Sequence, residues 1–588
     1  MIQELLVIAV VVNSDPAHAG CLYCLCQLYK TALARSRGLR YGTYLDHTHR
    51  FHLAWDVDYP RETVNFHLTV RVGTDQWFGM GFSDYGESTN ADVLVVWTNS
   101  RGTHFFQDAY TDSTGRLHID RKQDYHLTDA WSRGHETELV FSRKFETCDG
   151  GYVFDNGTTH IIYFVGRGNP KSVSGVNVTS LHPGLQRVQL LKPDIPTPLL
   201  PRDTWTFDIL APKVRVPGKE TTYWWYRTKL PPLRKKHHII QFEGIIQKGN
   251  ENLVHHMEVF HCEVGAKTRI PNFNGPGLGE GKPPRLESCR KVIGAWAMGA
   301  KALPYPDEAG SPIGGENYSR YVLLEVHYNN PGLKTGVIDQ SGIRFYVTSS
   351  LRKYDAGIME LGLEYTNKMA IPPDQPHFHL TGYCVSDCTR VGLPRQGINI
   401  FASQLHTHLT GKKAYTKHVR HGQELPELNR DNHYSPHFQE IRLLPKPVRV
   451  LPGDALITSC VDNTIDRQNA TIGGFAITDE MCVNYVHYYP AVELEVCKSS
   501  ITTNALHSFF RFLNKWSEER TSPGHGDREN YQSIKWTPLN VHLLNSLYAS
   551  APLSMQCNMS SGRRFPGEWE GIPPTKITEP FWVPEEKC

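Results

Sequence analysis

His255-His256-Met257-Glu258-Val259-Phe260-His261-Cys262 is the stretch on which the reading of this chain turns. It alternates bulky apolar residues (Met257, Val259) with polar ones, as a half-buried strand does, and it concentrates imidazoles at its start. A second string, about 150 residues downstream, repeats the idea: Phe401-Ala402-Ser403-Gln404-Leu405-His406-Thr407-His408-Leu409-Thr410-Gly411. Side chains two apart on a strand share a face, so His406 and His408 can reach one metal. His255 and His256 are adjacent and point to opposite faces of a regular strand. They can share a metal only if the backbone is distorted there or each ring reaches round. Met481 adds a thioether. Imidazole with thioether and no thiolate is a ligand set that selects copper over zinc.

Working outward, strand-like runs dominate. Residues 51–57, 64–70, 77–82 and 93–97 suggest a first all-β unit over 45–200, ending in a proline-rich strap (Pro193, Pro196, Pro198, Pro201). Residues 223–226, 238–240 and 321–328 suggest a second β unit, and 398–405, 448–456 and 485–489 a third. Only the end changes period: 504–519 places Leu506, Phe509, Phe510 and Leu513 on one helical face, and 539–549 is a second helix candidate. These helices read either as a dimerisation element or as cover for their own subunit.

At 588 residues the chain needs several cores. Its 62 Lys+Arg against 60 Asp+Glu leave no basic stripe, which argues against nucleic acid as a partner. Thirteen cysteines are present: three crowd the N-terminus (Cys21, Cys24, Cys26), and ten are widely spread, which suits disulfides better than zinc knuckles. Five Asn-x-Ser/Thr sequons, at Asn156, Asn177, Asn317, Asn469 and Asn558, point the same way, to the secretory route and a secretory-vesicle lumen or the extracellular space. The apolar run 5–12, with Ala17-His18-Ala19 ahead of Gly20, has the form of an export signal, although Glu4 stands where basic residues are usual; a misassigned start is the alternative. Any membrane association is expected through this N-terminus alone.

Taken together, the two histidine strings resemble the paired signatures of the copper type II, ascorbate-dependent monooxygenases. The similarity extends over nearly the whole chain from about residue 45, through residues 184–193, 357–363, 431–440 and 480–490, and the first unit resembles a DOMON domain. The resemblance implies a mainly β protein: segment 1–44, a DOMON-like sandwich over 45–180, a linker over 181–202, two jelly-roll-like copper domains over 203–350 and 351–503, and a helical C-terminal region over 504–588. It implies two coppers per subunit, with ascorbate as reductant. His255, His256 and His327 correspond to the ligands of an electron-transfer copper; His406, His408 and Met481 correspond to those of the copper that handles dioxygen. Tyr223, together with His406, matches a catalytic position. Asp92 and Asp124 match carboxylates of a metal site in the DOMON unit. The implied disulfides are Cys148–Cys588, Cys262–Cys289, Cys384–Cys497, Cys388–Cys557 and Cys460–Cys482.

The implied reaction is hydroxylation of the benzylic carbon of a phenethylamine, with dopamine placed ahead of tyramine. Two one-electron sites together supply the two electrons that monooxygenation needs. Glu360 is the candidate carboxylate for the substrate's ammonium. An orphan monooxygenase of the same family and a non-enzymatic secreted copper-binding protein are the competing readings. Three departures from the family pattern stand out. Asn399 replaces a histidine. Trp225 and Gly277 replace a cysteine pair, which suggests a looser loop there. No cysteine lies between Cys497 and Cys557, so a homo-oligomer is expected without an intersubunit disulfide.

Overall fold

The computed structural model describes residues 39–588, apart from 47, 99–102, 197, 252, 266, 278–280, 299, 331 and 583–587. The export-signal candidate and Cys21, Cys24 and Cys26 lie outside the described residues. The chain divides into two units, the first running to Asp155 and resuming over Thr159–Arg187, the second comprising Asn156–Thr158 and Val188–Cys588.

The first unit is a two-sheet sandwich. A five-stranded sheet begins with Tyr41–Tyr44 and Phe51–Asp58, and a six-stranded sheet carries Gly184–Val188 at its edge. It therefore reaches beyond 45–180 at both ends: Tyr41–Tyr44 pairs with Phe51–Asp58, and part of the presumed linker is an edge strand. Phe51, Phe66, Phe82 and Phe141 are fully buried between the sheets. That follows from apolar residues recurring every second position.

The second unit holds two further β-sandwiches. In the N-terminal one, a five-stranded sheet runs in the order Asn274–Pro276, Thr221–Lys229, Tyr321–Asn329, Val254–Cys262, Cys289–Ala297. It packs through Met257, Val259, Leu324 and Val326 onto a sheet that contributes Ile239, Phe242, Ile343 and Phe345. In the C-terminal one, a seven-stranded sheet has at its heart Ile398–Thr407, Cys482–Tyr489, Gly357–Leu363 and Leu494–Ile501; a four-stranded sheet backs it. Residues 448–456 are not one strand. Arg442–Val450 and Asp454–Asp462 meet at a turn over Leu451, Pro452 and Gly453, where Gly453 has φ +94°. Apolar character on both sides of Pro-Gly masks the break; the Pro-Gly pair itself is the turn signal.

Among the described residues the α-helices are Ser386–Gly392, Thr503–Ser517, Asp527–Ser533 and Pro538–Ser550. Leu506, Phe509, Phe510 and Leu513 are all buried, as the period suggests. The region after residue 504 is not helical throughout. Leu553–Met559 returns to pair with Leu494–Ile501 and Glu570–Ile572 adds one more strand, so the chain end completes the seven-stranded sheet. Cys262–Cys289, Cys384–Cys497, Cys388–Cys557 and Cys460–Cys482 are disulfides, as the resemblance implies. The fifth expected pair is Cys148–Cys588.

Candidate metal centres

The first histidine string lies on Val254–Cys262, in register with Tyr321–Asn329. The register shifts between Val254 and His256, which puts the irregularity at His255. That is the distortion two adjacent histidines need to turn toward one point. His256 stands opposite His327, and His327 opposite Tyr223 on the next strand. One row across three strands thus reads Tyr223, His327, His256. The His255 and His256 Nδ1 atoms are 3.1 Å apart, and those of His256 and His327 3.2 Å. All three rings offer nitrogens within 4.8 Å of one another. Two metal–nitrogen bonds of about 2 Å place their nitrogens roughly 3.3 Å apart, so the spacing fits one ion. Burial, and then the neighbouring imidazoles, hold His256 well below the usual histidine range and bring His327 down to about 3. Neutral imidazole is the form that binds metal.

Tyr223 stacks on His327, with ring centroids 4.4 Å apart and planes at 13°. Burial, with help from Glu325 and Glu258, lifts its phenol to about 12, so the ring stays protonated. Its neighbours are the first site's histidines.

Two residues further along, the next row reads Trp225, Glu325, Glu258. Burial first, then Glu325, raises Glu258 to about 8; burial also raises Glu325, which accepts the Trp225 indole N–H. The Trp225 indole lies flush on Gly277, where an added Cβ would come within 2.4 Å of the ring, and the Lys282 ammonium sits 5.0 Å from its centre.

The second string lies on Ile398–Thr407 and the turn after it. His406 stands opposite Val483 on Cys482–Tyr489, and the His406 and His408 rings are 5.4 Å apart. Each imidazole is fixed through Nδ1: His406 to Gln439 Oε1 at 2.5 Å and His408 to the Asp479 carbonyl at 3.0 Å. That leaves Nε2 of each ring for a metal. Burial, chiefly, lowers His406 to about 4. Glu480, fully buried, ties Met481 to this pair. Its Oε1 accepts the backbone N–H of His408 and, at 2.8 Å, that of Met481; Oε2 accepts the N–H of Thr410 at 2.9 Å and its hydroxyl at 2.5 Å. The Cys460–Cys482 disulfide anchors the strand one residue beyond Met481.

Glu360 sits in a row with Tyr485 and Gln404 on the same sheet. Its carboxylate is 2.9 Å from the Lys498 ammonium, which lies 4.0 Å over the Tyr365 ring. Burial, then the charges of Glu360, Tyr365 and Glu258, hold the Tyr485 phenol well up. Asn399 is at the opposite end of the strand from His406, paired with Arg449 and Tyr489.

In the first unit, Asp92 and Asp124 open onto one acidic cavity of about 650 Å³, with Asp108, Asp120 and Asp149. Asp92 is committed to protein partners: Tyr125 Oη and the Tyr152 N–H at 2.8 and 3.1 Å, and the buried Arg143 at 2.5 Å. Asp124 retains a buried oxygen with no hydrogen bond and is raised, by burial first and Asp149 next. Asp108 is lifted to about 7, mainly by burial.

Sequence reasoning passed over Gln439, Glu480 and the Trp225–Glu325 bond. Gln439 and Glu480 fall in segments already noted for their family likeness; their roles depend on loops that no periodicity predicts.

The comparisons with known proteins agree with this geometry. Residues 207–335 match the model of the copper type II ascorbate-dependent monooxygenase N-terminal domain, 354–510 that of its C-terminal domain, and 47–166 that of the DOMON domain. The chain belongs to the copper type II, ascorbate-dependent monooxygenase family. It is 51% identical to dopamine beta-hydroxylase of Bos taurus, over 92% of this chain and 89% of that one. Against tyramine beta-hydroxylase of Caenorhabditis briggsae the figures are 41%, with 78% of each chain covered. DBH-like monooxygenase protein 1 of Mus musculus is 34% identical over 93% of this chain and 90% of its own. The protein is thus a copper enzyme with ascorbate as its reductant.

Proposed function

We propose that this enzyme hydroxylates the benzylic carbon of a phenethylamine, dopamine in the first place, using His255, His256 and His327 to hold the copper that passes an electron and His406, His408 and Met481 to hold the copper that meets dioxygen. The observation that carries this is the convergence of three imidazoles within 4.8 Å, with a second histidine pair and a methionine on the other copper sandwich. When bound, the two coppers supply one-electron redox chemistry, and a thioether favours the reduced state at the second. The chain's own residues do the rest. Gln439 and the Asp479 carbonyl orient His406 and His408. Glu480 fixes the turn and strand that bear His408 and Met481. Tyr223 buttresses His327.

Glu360, in one row with Tyr485 on the second sheet, is the carboxylate offered to an ammonium. Glu360 already has Lys498 at 2.9 Å, so an arriving amine would share it. Asp124 is the better cation ligand of the DOMON pair, because Asp92 is taken by Arg143.

The secretory route is supported by the four disulfides and by exposure of the sequons Asn156, Asn317 and Asn469. No helix among the described residues is long and apolar enough to cross a membrane. Phe512 and Trp516, 44% and 67% exposed on Thr503–Ser517, favour a non-covalent dimer through that helix. Cys148–Cys588 is proposed as the fifth disulfide.

The test is oxygen uptake by copper-loaded protein with ascorbate, comparing dopamine, tyramine and a glycine-extended peptide. Uptake coupled to dopamine is the expected result. Coupling to tyramine alone moves the substrate, coupling to the peptide alone overturns amine hydroxylation, and no uptake favours a copper-binding protein without activity.

A further inference from the structure

One loop, residues 432–441, touches both candidate metal centres. It is pinned to the second string along its length. Tyr434 Oη accepts the Thr407 N–H at 3.0 Å, Gln439 Nε2 donates to the Thr407 carbonyl at 3.2 Å and to Pro436 O at 2.7 Å, and Gln404 Nε2 donates to the Gln439 carbonyl at 2.8 Å. The Phe438 N–H closes a tight turn onto the Ser435 carbonyl at 2.9 Å. From this fastened base two side chains reach in different directions. Gln439 Oε1 holds His406 Nδ1 at 2.5 Å. His437 presents its ring to His255, centroids 6.1 Å apart and planes at 89°, edge against face. Two residues apart on one backbone, His437 and Gln439 join a ligand candidate of one site to a ligand candidate of the other.

We propose that this loop is the protein's own conductor between the two sites, with His437 the contact at the electron-transfer end and Gln439 the contact at the oxygen end. Electronic coupling weakens more steeply across empty space than along bonds and hydrogen bonds. The route from His255 to His406 has one van der Waals step, at His437, then covalent backbone, then one short hydrogen bond. With copper bound, His255, His256 and His327 would hold the one-electron donor and His406, His408 and Met481 the one-electron acceptor. No bond is made or broken on the way. The same contacts hold the two sites at a fixed separation, because Gln439 cannot shift without disturbing His406. Both His437 and Gln439 are positioning residues, acting through the histidines they touch. The proposal rests on the two-copper reading above.

The experiment uses the full chain, copper-loaded, reduced with ascorbate and freed of excess reductant. It is mixed with oxygen and dopamine, frozen at intervals, and its Cu(II) counted by electron paramagnetic resonance; copper content and melting temperature are measured alongside. His437→Ala is expected to bind two coppers and to be reduced by ascorbate as the parent is. In it, Cu(II) at the three-histidine site should appear at least tenfold more slowly, with more hydrogen peroxide released per product. Gln439→Leu should slow the same phase. Parent-like Cu(II) kinetics in both variants would overturn the proposal. So would loss of copper from His437→Ala, since the residue would then be a ligand or a prop. A parent chain that binds fewer than two coppers would instead overturn the two-copper reading itself.

Discussion

Trp225 packs directly against Gly277: a Cβ at Gly277 would fall 2.4 Å from the indole ring. The pair stands where the family pattern has bridged cysteines. A large ring against a bare backbone fills the space, and the indole N–H gives Glu325 a donor. We expect Trp225→Ala to destabilise the N-terminal copper sandwich by about 2 kcal/mol, less than a fully buried Trp because the ring is partly exposed. Calorimetric melting checks this, and an unchanged melting temperature would show the packing to be incidental.

Met481→Ala removes the thioether proposed for the second site. Product formation should be lost while the three-histidine copper stays bound. Metal analysis should then show at least one copper per chain retained; hydroxylation at the parent rate would refute the ligand assignment.

Glu480→Gln puts an NH₂ where four donors now converge on two carboxylate oxygens. Misplaced supporting groups cost about 10–100-fold in metal affinity. Copper titration should show that weakening at the His406 site and none at the other. Equal weakening at both would mean a general loss of fold.

His261 offers a pH test away from the ligands. Burial holds it at about 4, below the ordinary value of about 6.5. The unfolded chain therefore binds the proton first. The stability from keeping His261 neutral is full above pH about 6.5 and falls as pH drops toward 4, at up to about 1.4 kcal/mol per pH unit. Denaturant unfolding of the apo protein should show this slope, and His261→Gln should flatten it. Identical slopes would assign the acid sensitivity elsewhere.

Much of the site was legible because its signals are local. Adjacent histidines demand a bulge, and the register shifts there. His406 and His408 share a side by strand period alone. What escaped depends on contacts distant in sequence: Gln439 reaches His406 across 33 residues, and Glu480 reaches the His408 N–H across 72. The strands after residue 553 escaped because their neighbours are helical, and 448–456 reads as one strand because its turn is short. The family resemblance supplied His327 and Met481, which no spacing argument would have picked from 29 histidines and 9 methionines.

The return of Leu553–Met559 to the seven-stranded sheet sets a timetable for biosynthesis. The N-terminal copper sandwich is nearly continuous in sequence and can close soon after its last strand emerges. Its partner must wait. Cys384 and Cys388 are four residues apart, yet their mates lie 113 and 169 residues downstream. Until those arrive, two neighbouring thiols stand open to each other and to passing chains. Maturation of the oxygen-handling half thus has to wait for Cys557, and it calls on disulfide exchange, a process of seconds to hours that isomerases speed.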